Sequence, residues 1–114
     1  MSNEAKNPGE VTLCVSNGYK KKFYLNENFN QLPQSIRDEL KIMCVLYTED
    51  VGGILELVFD EDGTLRFKTG CEENDFLYDE IGSVLKIKQY QNEKRDLLEA
   101  LEMFYRIIYL GEGL

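Results

Sequence analysis

The sequence predicts a small α+β domain in which an antiparallel sheet of about five strands, in the order β-β-α-β-β-β-α, packs on helices and ends in a long C-terminal helix. Two patterns carry that expectation. Apolar residues alternate on both sides of Asn17-Gly18 and again on both sides of Asp62-Gly63, as strands of a half-buried sheet do. Between and after these stretches, apolar residues recur at three- and four-residue spacing, as they do along one face of a helix.

Taken in chain order, residues 1–9 have little to bury and read as a loose tail, with one domain from Glu10 to Leu114. Val11, Leu13 and Val15 form one face of a first strand over Val11 to Ser16. A second strand, Tyr19 to Leu25, carries Phe23 and Leu25 inward, and Asn17-Gly18 between them favours a type I′ hairpin turn. Pro33 suits the first turn of a helix starting near Leu32, where its missing N–H costs nothing, and Ile36, Leu40 and Met43 give that helix an apolar stripe. The run Ile42 to Tyr47 is apolar throughout. It is compatible with helix or with a strand buried on both faces, and a strand from about Cys44 is the expectation because Gly52-Gly53 and two further strands, Ile54 to Phe59 and Thr64 to Thr69, follow it. Leu55, Leu57, Phe59, Leu65 and Phe67 then line the inner face, and Glu56 pairs with Arg66 or Lys68 on the outer one.

After Gly70 the pattern is helical, with a stripe of Ile81, Val84, Leu85 and Ile87 and a stronger one of Leu97, Leu98, Leu101, Phe104, Tyr105 and Ile108. Gly111 and Gly113 close the final helix. The polar stretch Lys88 to Asp96 leaves open whether residues 76–110 are one helix or two. The order is that of profilin-like and roadblock-like domains, a likeness of topology that carries no function.

Composition narrows the function classes. The chain has 114 residues and a net charge of −8, and its charge is uneven: residues 27–82 hold 14 acidic and 4 basic groups. An acidic surface of this kind repels phosphate backbones and anionic membranes, so nucleic acid and membrane are not expected partners. No apolar run approaches the about 20 residues of a membrane span, and the N-terminus lacks the apolar stretch of a secretory signal, which makes the cytoplasm the expected location. Cys14, Cys44 and Cys71 include no Cys-x-x-Cys pair and read as reduced thiols, the first two packed and Cys71 the most exposed.

With no histidine in the chain, Ser-His-Asp, Cys-His and His-based metal sites are excluded, and no glycine-rich phosphate loop is present. Neither a catalytic residue nor a cofactor is expected. Glu49-Asp50 and Asp60-Glu61-Asp62 are the acidic surface, and read as solvated turn carboxylates. As a cation site Asp60-Glu61-Asp62-Gly63 fails the calcium-loop spacing, because its glycine comes too early and no glutamate stands at the twelfth position. Lys20-Lys21-Lys22 could be a phosphate patch, but three lysines on a strand are more simply the protection of a sheet edge. Tyr90, Tyr105, Ile107 and Tyr109 fall partly outside the C-terminal core stripe and are the candidate contact face for a protein partner or a second copy.

The segments Leu40-Lys-Ile-Met-Cys-Val-Leu-Tyr-Thr-Glu-Asp-Val-Gly-Gly-Ile-Leu, Phe59-Asp-Glu-Asp-Gly-Thr-Leu, Tyr78-Asp-Glu-Ile-Gly-Ser and Leu85-Lys-Ile-Lys-Gln resemble an uncharacterised family of small bacterial proteins of about this length. The resemblance implies a bacterial cytoplasmic protein and supplies no catalytic residue. Three expectations of function remain. A non-enzymatic interaction module, with a second copy or another protein as its partner, leads; an acidic inhibitor or immunity-type protein for a basic partner and a carboxylate-based binder of divalent cations are the alternatives.

Overall fold

A computed structural model describes residues 9–112. Strands β1 (Val11–Asn17) and β2 (Lys22–Leu25) form the hairpin, a short 3-10 turn covers Glu27–Phe29, and helix α1 runs Gln34–Val51. Strands β3 (Ile54–Phe59) and β4 (Leu65–Gly70) follow, then helices α2 (Glu80–Glu93) and α3 (Arg95–Ile108). The sheet is antiparallel throughout, in the order β2-β1-β3-β4. The described part of the chain is thus α+β, with four strands where five were expected.

The missing strand is the second half of α1. Leu40, Met43, Cys44, Tyr47, Thr48 and Val51 are buried, while Ile42 and Leu46 are exposed. That is helical spacing, and the six-residue apolar run conceals it because two of its members face out. The helix starts at Gln34 after Pro33, two residues later than the expected start near Leu32, and stops at Gly52, whose φ of 86° is left-handed.

The C-terminal region is two helices, not one long one. Lys94, with φ −107° and ψ 23°, separates them. In one continuous helix Ser83, Tyr90, Leu97 and Phe104, each seven residues apart, would share a face. The break moves the second stripe to Leu97, Leu101 and Tyr105, so Tyr105 is buried whereas Phe104 is only half-buried and Ile108 is exposed. At the end of α3, Leu110 and Glu112 donate backbone N–H groups to the carbonyls of Tyr105 and Arg106, with Gly111 turning the chain at φ 68°. Gly113 lies outside the described residues, as do residues 1–8 of the expected tail.

The hairpin differs in two details. Its loop is four residues long, Gly18 to Lys21, and Asn17 Oδ1 accepts the N–H groups of Tyr19 and Lys20 at 3.0 and 3.1 Å. In β1 the register with β3 shifts between Thr12 and Cys14. This bulge reverses the alternation, so Cys14 and Ser16 face α1 in place of Val15. The Cys14 and Cys44 sulfurs sit 3.8 Å apart as free thiols, and the Ser16 and Thr48 hydroxyls 2.8 Å apart. Cys71 is exposed.

The core lies between the inner face of the sheet and the three helices. Its aromatic end is a set of rings in which Phe59 and Tyr105 stack at 4.2 Å and Phe29 lies 5.7 Å from Phe59. On the outer face the expected charges are present but pair otherwise: Lys68 reaches Glu10 at 2.7 Å, Arg66 reaches Asp60, and Glu56 accepts from the Thr12 hydroxyl at 2.6 Å. Among the described residues no helix is long and apolar enough to cross a membrane.

Candidate functional site

Helix α2 has two apolar faces, and only one of them meets the core. Ser83, Ile87 and Tyr90 point inward, at spacing i, i+4 and i+7. Ile81, Val84 and Leu85 stand on the opposite side with Lys88, at i, i+3, i+4 and i+7, and are 76, 54 and 62% exposed. Glu80 joins these three in one shallow apolar depression.

The approach to α2 extends this surface. Asp75 is fixed by the Tyr19 hydroxyl, which donates to Asp75 Oδ2 at 2.5 Å and accepts the Glu72 N–H at 2.9 Å. Tyr78 is fixed on the other side, packing against the core and donating its hydroxyl proton to Ser83 Oγ at 3.1 Å. Phe76 and Leu77, caught between two anchored residues, are left outside at 90 and 93% exposure. Asp79 caps α2 by accepting the Gly82 N–H at 2.8 Å, which sets the angle at which the helix leaves the loop. Five large apolar side chains within ten residues therefore face solvent, and scattered exposed apolar residues do not normally cluster in this way.

The residues singled out from the sequence fall elsewhere. Tyr90 is buried at 7% exposure under the Lys86 ammonium, 5.9 Å above its ring, and Tyr105 is buried at 4% in the aromatic stack. Burial pushes both phenols above the ordinary tyrosine value. Tyr109 is exposed and ties α3 to the 3-10 turn by donating to the Asn28 carbonyl at 2.5 Å; Ile107 is half-buried.

The acidic residues divide between the two ends of β3, roughly 17 Å apart by strand rise. Asp50 bridges to Lys86 at 3.0 Å, and Glu49 stands on the rim of a cleft beside the hairpin. At the other end Asp60 holds Arg66, while Asp62 accepts the Thr64 N–H at 3.0 Å, which lowers its carboxyl below the usual range. Glu61, beside them in the turn, is exposed. Among the described residues no three His, Cys, Asp or Glu side chains are grouped to hold a metal.

The surface on α2 was missed for a definable reason. Ile81, Val84 and Leu85 read as a core stripe because the competing inward stripe begins with a polar residue, Ser83. Only the hydroxyls of Tyr47 and Tyr78, which bond Ser83 at 2.6 and 3.1 Å, make that serine a core residue.

Sheet, helices and surface together define an α+β domain of one layer of helices on one antiparallel sheet. The chain belongs to the family of unknown function DUF6145, whose family model matches residues 10–113 and so covers nearly the whole chain. No curated protein matches it. Nor does any solved structure.

Proposed function

We propose that the protein is a non-enzymatic interaction module that self-associates through the outward face of α2. The carrying observation is the contiguous exposed surface of Phe76, Leu77, Ile81, Val84 and Leu85. The candidate contact face therefore moves from the tyrosines of the last helix to the helix before it, because Tyr90 and Tyr105 are buried.

Charge selects a second copy as the occupant. Glu80 and Lys88 lie about 12 Å apart along α2, at equal distance on either side of Val84. Two copies of α2 crossing antiparallel at Val84 bring Glu80 of each onto Lys88 of the other, while the apolar side chains meet between them. A two-fold interface needs this self-complementarity. Of the acidic residues considered for an inhibitor or a cation binder, Asp50, Asp60 and Asp62 are engaged within the chain, and Glu49 and Glu61 stand at opposite ends of β3, so the α2 surface is the better supported contact face.

Sedimentation velocity across a wide concentration range tests the reading. The wild-type chain should form dimers, and Leu85→Glu should remain monomeric while keeping its circular dichroism spectrum. Glu80→Lys should weaken the dimer and Glu80→Lys with Lys88→Glu should restore it. A wild-type chain that stays monomeric at every concentration sinks the proposal.

A further inference from the structure

We infer that the cleft between the β1–β2 hairpin and α1 is a binding site for a small organic anion with an apolar body. The cleft encloses about 500 Å³, within the usual range for ligand sites of roughly 300–1,000 Å³. It is separate from the α2 surface and does not depend on self-association.

Its charge is opposite to that of the molecule. Lys21 and Lys22 line it from the hairpin and Lys41 from α1, with Glu49 as the single acidic lining residue. In a chain of net charge −8, the cleft carries three ammonium groups against one carboxylate. The ion pairs of the described residues use Lys68, Lys86, Lys94 and Arg66, so no described carboxylate lies within 4.0 Å of any of the three. Lysines left unneutralised around a concavity attract and hold an anion, and low-dielectric walls strengthen the field there.

The walls give the rest of the ligand's character. Phe23 and Val45 supply apolar surface on opposite sides, while the floor is the Ser16–Thr48 hydroxyl pair. Those hydroxyls are already engaged: Thr48 Oγ1 lies 3.2 Å from the Val45 carbonyl and 2.8 Å from Ser16 Oγ. The floor is thus polar but self-satisfied, and the ammonium groups are the donors left for a charged headgroup.

The loop that presents Lys21 and leads into Lys22 at the start of β2 is held in place before any ligand arrives. Lys21 is the one residue other than glycine with positive φ among the described residues, at 53°. Such a conformation persists where the surroundings impose it. Here Asn17 binds two loop N–H groups, Gly18 N–H donates to the Gly53 carbonyl at 2.8 Å, and Tyr19 is bonded to Asp75. Protection of the sheet edge would account for lysines on β2; it does not account for Lys41, which converges on the same space from α1.

The test is a titration of the full ¹⁵N-labelled chain with phenyl phosphate and, separately, with inorganic phosphate, followed by amide chemical shifts. The expected result is saturable shifts at Gly18, Lys21, Phe23, Val45 and Thr48. Phenyl phosphate should bind roughly tenfold more tightly than inorganic phosphate, the worth of about 1.4 kcal/mol of apolar contact. Lys41→Gln should weaken both by roughly three- to tenfold, since it removes one charge-assisted contact, and Lys68→Gln, on β4 and outside both the cleft and the α2 surface, should change neither. Shifts that never saturate, or that saturate away from the cleft, overturn the assignment. So does a Lys41→Gln variant that binds as the wild type, and equal affinity for the two probes overturns the apolar part of it.

Discussion

Tyr47 is fully buried, yet its hydroxyl is not stranded. It shares Ser83 Oγ, at 2.6 Å, with Tyr78, which reaches the same oxygen at 3.1 Å. Ser83 is therefore the hub that lets two tyrosines close the seam between α1 and α2. Removing the hub and removing one spoke should differ. Ser83→Ala takes the shared oxygen away from the Tyr47 and Tyr78 hydroxyls at once and should cost about 1–3 kcal/mol. Tyr47→Phe takes the polar atom away with its bond, leaves Ser83 paired to Tyr78, and should cost about 1 kcal/mol. Urea unfolding of the two variants compares them; equal losses would show that the network is not organised around Ser83. Gly53 belongs to the same scale. Its φ is 71°, and a Cβ there would meet the Gly70 carbonyl and, at 2.6 Å, the Tyr78 ring, so the bend between α1 and β3 is open to glycine alone.

Among the elements, α3 is held by its aromatic residues. Tyr105 stacks on Phe59 at 4.2 Å and on Tyr109 at 5.2 Å, and Phe29 approaches from the 3-10 turn. Tyr105→Ala should destabilise the fold by about 3–5 kcal/mol, the usual cost of emptying a large aromatic site. Ile107→Ala, two residues on and half-buried, should cost far less; thermal unfolding of both variants measures the contrast. How much of each element was legible in the sequence follows from how much its neighbours mattered. The hairpin and the β3–β4 pair were readable because alternation and turn residues are local signals. The end of α1 was not, since six consecutive apolar residues erase the period that distinguishes helix from strand. The bulge in β1 was not readable either, because it depends on the register against β3, a strand about forty residues away. The candidate surface was legible as residues and illegible as a surface: Ile81, Val84 and Leu85 were identified as a stripe, but which of the two apolar sides of α2 faces the core is decided by tertiary partners of Ser83.

For the molecule as a whole, burial has a consequence in alkaline solution. Desolvation raises Tyr47, Tyr90 and Tyr105 above the ordinary tyrosine value of 10.0, and the Cys44 thiol together with burial raises Cys14 above 9.0. Each group is neutral when protonated, so the folded chain keeps protons that the unfolded chain has released at the same pH. The stabilisation these groups provide is complete below the unfolded values and is lost as pH rises from about 9 past 10. Urea midpoints should hold level from neutrality to about pH 9 and then decline, less steeply in Tyr47→Phe. A midpoint that stays level through that range would place these side chains in water.

The pairing of β1 with β3 across α1 also orders events during synthesis. The hairpin leaves the ribosome first, but a two-stranded ribbon is at best marginal in water. The free side of β1 has no partner until Phe59 has emerged, so neither the sheet nor the surface that α1 packs on exists before then. A nascent chain halted at Gly53 should consequently be handled by the cell as an unfolded one, although it already contains the hairpin and the whole of the longest helix.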